Sequence, residues 1–126
     1  MTGQSDTRPE TLPWPVDLAF DRAARALVIR FEDDTVFTLP FELLRVESPS
    51  AEVQGHSAAQ KSYPAGKSGV GVVDAEPVGR YGVKIRFDDG HDTGLYTWAW
   101  LYRLGDQQDA LMAAYLEDLD ARGLSR

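Results

Sequence analysis

Histidine occurs twice in this 126-residue chain, and His91 sits in FDDGHDTGLYTW among Asp88, Asp89 and Asp92. An imidazole beside carboxylates offers nitrogen and oxygen donors to a divalent metal. His56 lies 35 residues earlier (91 − 56) as a conceivable second ligand. A turn explains the same residues with less. Asp89-Gly90 tolerates positive φ at a tight reversal, and the flanking carboxylates keep the tip hydrated. The turn is favoured, and no metal is expected. Ser48, Ser50, His56 and several aspartates contain the ingredients of a hydrolytic triad, but spacing selects no set, because triad geometry belongs to the fold.

Other motifs fail on spacing. Gly66-Lys67-Ser68 has the ending of a phosphate loop, yet Lys61 stands where the leading glycine belongs, and strand-like GVGVV follows instead of a helix. Ser68 is no nucleophile elbow, since Val70 replaces the required glycine. No catalytic residue is expected, and the chain reads as a non-enzyme. The aromatic group Tyr96, Trp98, Trp100 and Tyr102 first suggests core packing, with Tyr96 and Trp98 on one strand face and their polar tips near a rim. Aromatics at a cleft edge are still the best candidates for ligand contact.

Composition narrows the classes further. A net charge of −7 without a Lys/Arg cluster argues against nucleic acid. Without cysteine there is no disulfide, thiolate zinc site or iron–sulfur cluster. No apolar run approaches the ~20 residues of a membrane span. The opening MTGQSDTRPETLPWPVD lacks the basic start and apolar core of a secretion signal, so a soluble cytoplasmic protein is expected.

The elements that must position these residues can be read from periodicity. Residues 1–15, with Pro9, Pro13 and Pro15, read as a mobile arm that touches the body at Trp14, and residues 16–126 as one domain. Leu27, Ile29 and Phe31 alternate along one strand, Glu32-Asp33-Asp34 turns, and Val36–Leu39 returns as a second. Pro40 opens the short helix PFELLR. The same order recurs in VKIRF, the Asp88–Thr93 turn, a returning strand Leu95–Trp98 and a short helix in AWLYRL. Ile29-Arg30-Phe31 matches Ile85-Arg86-Phe87 at an offset of 56 (85 − 29), whereas Leu43 matches Leu101 at 58 (101 − 43). The second unit thus has two extra residues in its turn, where His91 sits. A middle strand is expected over Val70–Ala75 after a loop across residues 54–69.

The last element is an amphipathic helix over 106–122. Leu111, Met112, Tyr115, Leu116 and Leu119 share a face, Asp106 is the expected N-cap, and Gly123 closes the end. The expected class is α+β: a small antiparallel β-sheet of two related hairpin–helix units plus a middle strand, with the C-terminal helix packed on it.

The segments LPFELLR, SPSAEV, VGRY and DDGHDTGLYTW, in this order, resemble the gamma-butyrobetaine hydroxylase-like N-terminal domain family from about Ala26 to Leu104. The resemblance implies a small α+β appendage with a structural zinc, held in the hydroxylase by three cysteines and a histidine. Those positions fall here on Ser48, Ser50, Val53 and His91. Three of the ligands are missing, so the resemblance implies a lost zinc site, with His91 hydrogen-bonded to Ser48 or Ser50 instead. The oxygenase half and its iron ligands are absent from this sequence. A related domain is appended to Mrp-type ATPases of iron–sulfur assembly, which points to an adaptor.

The expected role is therefore a non-catalytic binding or adaptor module without a cofactor, whose partner is another protein. It would be linked to iron–sulfur protein assembly or oxygenase-associated metabolism. The candidate surface comprises Ser48, Ser50, Glu52, His56, Asp89, His91, Asp92, Tyr96 and Trp98. A small-molecule or metal-ion binder using the same rim is the alternative.

Overall fold

Leu27, Ile29 and Phe31 are fully buried while Arg30 between them is exposed, and Ile85 and Phe87 repeat this pattern around Arg86. Period-two burial of this kind requires a sheet with one face turned inward. The computed structural model describes residues 13–55 and 60–126. In it each of these strands is the centre of an antiparallel three-stranded sheet. The first sheet contains β1 (Pro15–Asp21), β2 (Ala26–Phe31) and β3 (Val36–Pro40); the second contains β4 (Val72–Val78), β5 (Gly82–Phe87) and β6 (Leu95–Thr97). The class is α+β, and the strands are divided between two sheets.

The repeat extends further than the hairpins. A register irregularity falls between Pro15 and Asp17 in β1 and again between Val72 and Asp74 in β4, each 57 residues on (72 − 15). β3 leads into helix α1 (Phe41–Val46) and β6 into α3 (Trp98–Asp106). In both copies the first helical N–H reaches back to the residue before the central strand: Phe41 N donates to Arg25 O, and Trp98 N to Tyr81 O. Each unit is thus three strands and a helix.

β1 was not expected. Leu18 and Phe20 alternate with Asp17, Ala19 and Asp21 and turn half-buried toward the core, but Pro13 and Pro15 make the stretch read as an arm. Its proline stands at the first position of an edge strand, where a missing N–H costs no ladder bond. Trp14 does touch the body: its N–H donates to Glu32 Oε1, and its carbonyl accepts from Glu32 N. Residues 1–12 of the proposed arm lie outside the described residues. The middle strand also runs later than expected, ending at Val78 rather than Ala75.

The expected short helix and terminal helix are both present, with the boundary between them shifted. Asp106 is the last residue of α3, not an N-cap, and the chain bends at Gln107 before α4 (Gln108–Ala121). Asp109 lies in the first turn of α4, and Gly123 follows its end at φ 69°. α4 packs on α1 and α3. Its buried residues are Leu111, Tyr115 and Leu119; Leu116 is 39% exposed. Leu111 joins the main core, whereas Tyr115 and Leu119 close a smaller cluster on Val46. Each fully buried Leu, Ile or Phe contributes roughly 1.5–3 kcal/mol, so the dozen largest buried side chains dominate the stability. No helix among the described residues is long and apolar enough to cross a membrane.

Candidate functional site

After α1 the chain passes through Ser48-Pro49-Ser50 into the short helix α2 (Ala51–Gln54), directly against the β5–β6 turn. Ser48, Ser50 and His91 are all buried there. His91 Nε2 lies 2.9 Å from Ser48 Oγ and 3.5 Å from Ser50 Oγ, while Nδ1 lies 3.2 Å from Glu52 Oε1. The Ser48 hydroxyl also accepts from Ser50 N at 3.3 Å. One assignment satisfies these contacts: a neutral ring that accepts from Ser48 at Nε2 and donates from Nδ1 to Glu52. Thr93 Oγ1 donates to the same Glu52 oxygen at 2.9 Å. The result is a clasp between the α1–α2 segment of one unit and the turn of the other. Gly94 makes room for it, because a Cβ there would stand 2.6 Å from Ser48 Oγ.

Asp89 secures the turn from beneath. Its Oδ1 accepts from His91 N at 3.0 Å, and Oδ2 meets Arg45 Nε at 2.8 Å and Lys67 Nζ at 2.6 Å. Burial would raise the pKa of this carboxyl, but hydrogen bonds from Lys67, the His91 N–H and Arg45 hold it well below the usual range. For His91, burial first and the Arg45 charge second depress the pKa below 6.5, against the opposing pull of Glu52, Asp89 and Asp92.

The sign of the pH effect follows. With a depressed folded pKa, the unfolded chain binds the extra proton first, so His91 contributes stability above pH 6.5 that is lost as pH falls through the folded value. Asp89 contributes above its ordinary 3.8 and loses only in stronger acid. Urea unfolding midpoints should therefore decline below about pH 6.5 in the wild type. In His91→Gln that first decline should be absent while the acid loss below pH 4 persists.

The sequence candidates divide between interior and surface. Ser48, Ser50 and His91 belong to the interior, so they do not form an exposed surface. Tyr96 is also fully buried, with its hydroxyl donating to Leu44 O, because the strand face it occupies is the core face. Trp98 does not share that face. It is the first residue of α3, half-buried, with Nε1–H donating to Arg80 O at 2.8 Å. Val53 is buried as well, whereas the Glu52 side chain is 65% exposed and Asp92 half-exposed. The Asp89 side chain is mostly covered by its cations. His56 lies outside the described residues. Arg45 and Lys67 are part of the site without having been expected, since no spacing rule pairs residues 44 apart.

Ser48, His91 and Glu52 have the connectivity of a nucleophile, base and acid. The exposure is reversed from what acyl transfer needs. Ser48 is 0% exposed and Glu52 open to water, so no substrate carbonyl reaches the hydroxyl.

A family model described as gamma-butyrobetaine hydroxylase-like, N-terminal, matches residues 18–102. The chain belongs to the gamma-butyrobetaine hydroxylase-like N-terminal family. The match takes in most of β1, β2 to β6, and α3 as far as Tyr102. Two NMR solution structures are similar, each with a TM-score of 0.78. One is 46% identical over 90% of this chain and 90% of its own; the other is 47% identical over 100% and 90%. A crystal structure from Acidithiobacillus ferrooxidans ATCC 23270, described as a protein with unknown function of the DUF971 family, is 37% identical. It covers 72% of this chain and 91% of its own, with a TM-score of 0.61. No protein of curated function matches.

The structural zinc that this family resemblance implies does not fit the residues present. Two of the four positions carry neutral hydroxyls and one an alkyl group, and the Nε2 lone pair of His91 is already engaged by Ser48. Hydroxyls do not replace thiolates at zinc. Where the family's metal would tie two segments, this member ties them with hydrogen bonds.

Proposed function

We propose that this chain is a non-catalytic cytoplasmic module that binds another protein through the rim above the clasp. The observation that carries this reading is the inward direction of the site's chemistry. Its hydroxyls and imidazole are consumed by one another under cover, while Glu52, Asp92 and Thr93 remain outside on a fixed frame. Exposed polar groups on a rigid scaffold are suited to recognition. An acidic rim favours a partner with a basic surface, and the resemblance supports a partner from iron–sulfur protein assembly or oxygenase-associated metabolism. The alternative, a small molecule or metal ion held by the same rim, has less support, because the donors nearest the rim are already paired.

The buried residues are unsuitable for testing this, since their removal would damage the fold. The test is affinity capture from lysate with wild type and with Glu52→Gln/Asp92→Lys, both checked by circular dichroism. A partner retained by wild type and lost by the variant is expected; equal retention would refute the rim as the binding surface. In parallel, nitrophenyl acetate hydrolysis should stay at background and be equal in wild type and in a Ser48→Ala variant shown by circular dichroism to remain folded. A Ser48-dependent rate would overturn the non-catalytic reading.

A further inference from the structure

A second concavity lies away from the clasp, where the edge strand of each sheet meets the other. Leu18 and Phe20 of β1 form one wall; Val72 and Ala75 of β4, with Val83 of β5, form the other, and Trp98 closes one side. The space is about 490 Å³, within the range of small-ligand pockets. Its walls are fixed from behind. Val72 and Val83 are 6% exposed and belong to the core, and the Phe20 ring lies 6.3 Å from that of Phe41. Trp98 is pinned at both ends, by its backbone N–H on Tyr81 O and its indole N–H on Arg80 O.

Two charged residues stand at the mouth, and they are not equivalent. Asp74 is neutralised by an ion pair with Arg86 across the β4–β5 register. Arg22, in the β1–β2 turn, spends one N–H on Val73 O at 2.7 Å, and has no ion pair among the described residues. A guanidinium carries five donors in a planar fork matched to a carboxylate. Among the described residues, that leaves an apolar trough with one available cation at its entrance.

We infer that this inter-sheet groove is a binding site for a small apolar monocarboxylate, with the chain or ring of the acid against Trp98, Phe20 and Val83 and its carboxylate on Arg22. Charge decides the class: an alcohol gains only the apolar wall, and an amine meets a cation. Water-exposed walls and a single ion pair set the affinity in the millimolar range.

The test is a titration with octanoate followed by amide and indole NMR shifts on the whole chain. Saturable shifts confined to Leu18, Phe20, Val83 and the Trp98 indole are expected, with Kd of roughly 1 mM. Arg22 is exposed, so its variants should fold. Arg22→Lys should retain binding, and Arg22→Gln should weaken it about tenfold. Octylamine should cause no saturable shift at these residues. Shifts that never saturate, or that scatter outside the groove, would overturn the site. Equal binding of octylamine, or an unchanged Kd in Arg22→Gln, would overturn the carboxylate class.

Discussion

Lys61→Met lowers the stability of this protein by about 3–5 kcal/mol, the expected cost of stranding one member of a buried ion pair. Glu47 is fully buried at the end of α1, and the Lys61 ammonium meets both carboxylate oxygens at 2.7 Å. Among the described residues the carboxylate's remaining side-chain contact, from Gln54 Nε2 at 3.4 Å, is too long to replace them. Removing the lysine leaves a charge that water cannot reach. Removing both charges avoids that, so Glu47→Leu/Lys61→Met should recover most of the loss. Urea unfolding of the two single variants and the double variant measures this as a thermodynamic cycle. A double variant no more stable than Lys61→Met alone would show that the pair is not the cause. The pair also anchors the start of the described loop after residue 59, where Lys61 lies 4.8 Å from the Tyr63 ring centre.

Gly82→Ala should be comparably damaging for a different reason. A Cβ at Gly82 would stand 2.1 Å from Tyr96 O and 2.8 Å from Tyr96 C, and both are backbone atoms of the neighbouring strand. Backbone cannot rotate aside as a side chain does, so β5 and β6 must separate. A cost of about 3 kcal/mol or more is expected, at the upper end of overpacking. The equivalent position in the first unit is Ala26 (82 − 56), buried and paired with Pro40. Ala26→Gly therefore serves as the control and should cost only about 1 kcal/mol. Thermal midpoints of the two variants decide the matter. Similar losses would mean that the close approach at Gly82 is not tight.

The periodicity of ALVIRF and VKIRF made the central strands legible, because alternating burial is a local property of the chain. The repeat was legible for the same reason, down to the longer second turn. β1 was obscured by two prolines that are harmless at a strand's edge. α3 and α4 were legible as separate helices, and only their boundary moved: α3 runs on to Asp106, which the polar stretch over residues 105–109 made look like the start of the next helix. At the site, the resemblance brought His91 to Ser48 and Ser50, a pairing 43 and 41 residues apart that periodicity cannot supply. Their burial was not legible, nor was the convergence of Arg45 and Lys67 on Asp89. Both depend on how the two units dock.

That docking has a kinetic consequence. Among the described residues neither sheet borrows a strand from the other, and every ladder joins strands that are neighbours in the sequence. Each ladder therefore closes only a short loop, which favours early formation of the hairpins. The closures between the units are much longer: His91 to Ser48 spans 43 residues, Tyr96 to Leu44 52, Trp100 to Glu47 53 and Arg126 to Glu42 84. The hairpins can therefore form early, while the core shared by both sheets, the imidazole clasp and the α4 contacts close later and turn two small sheets into one protein.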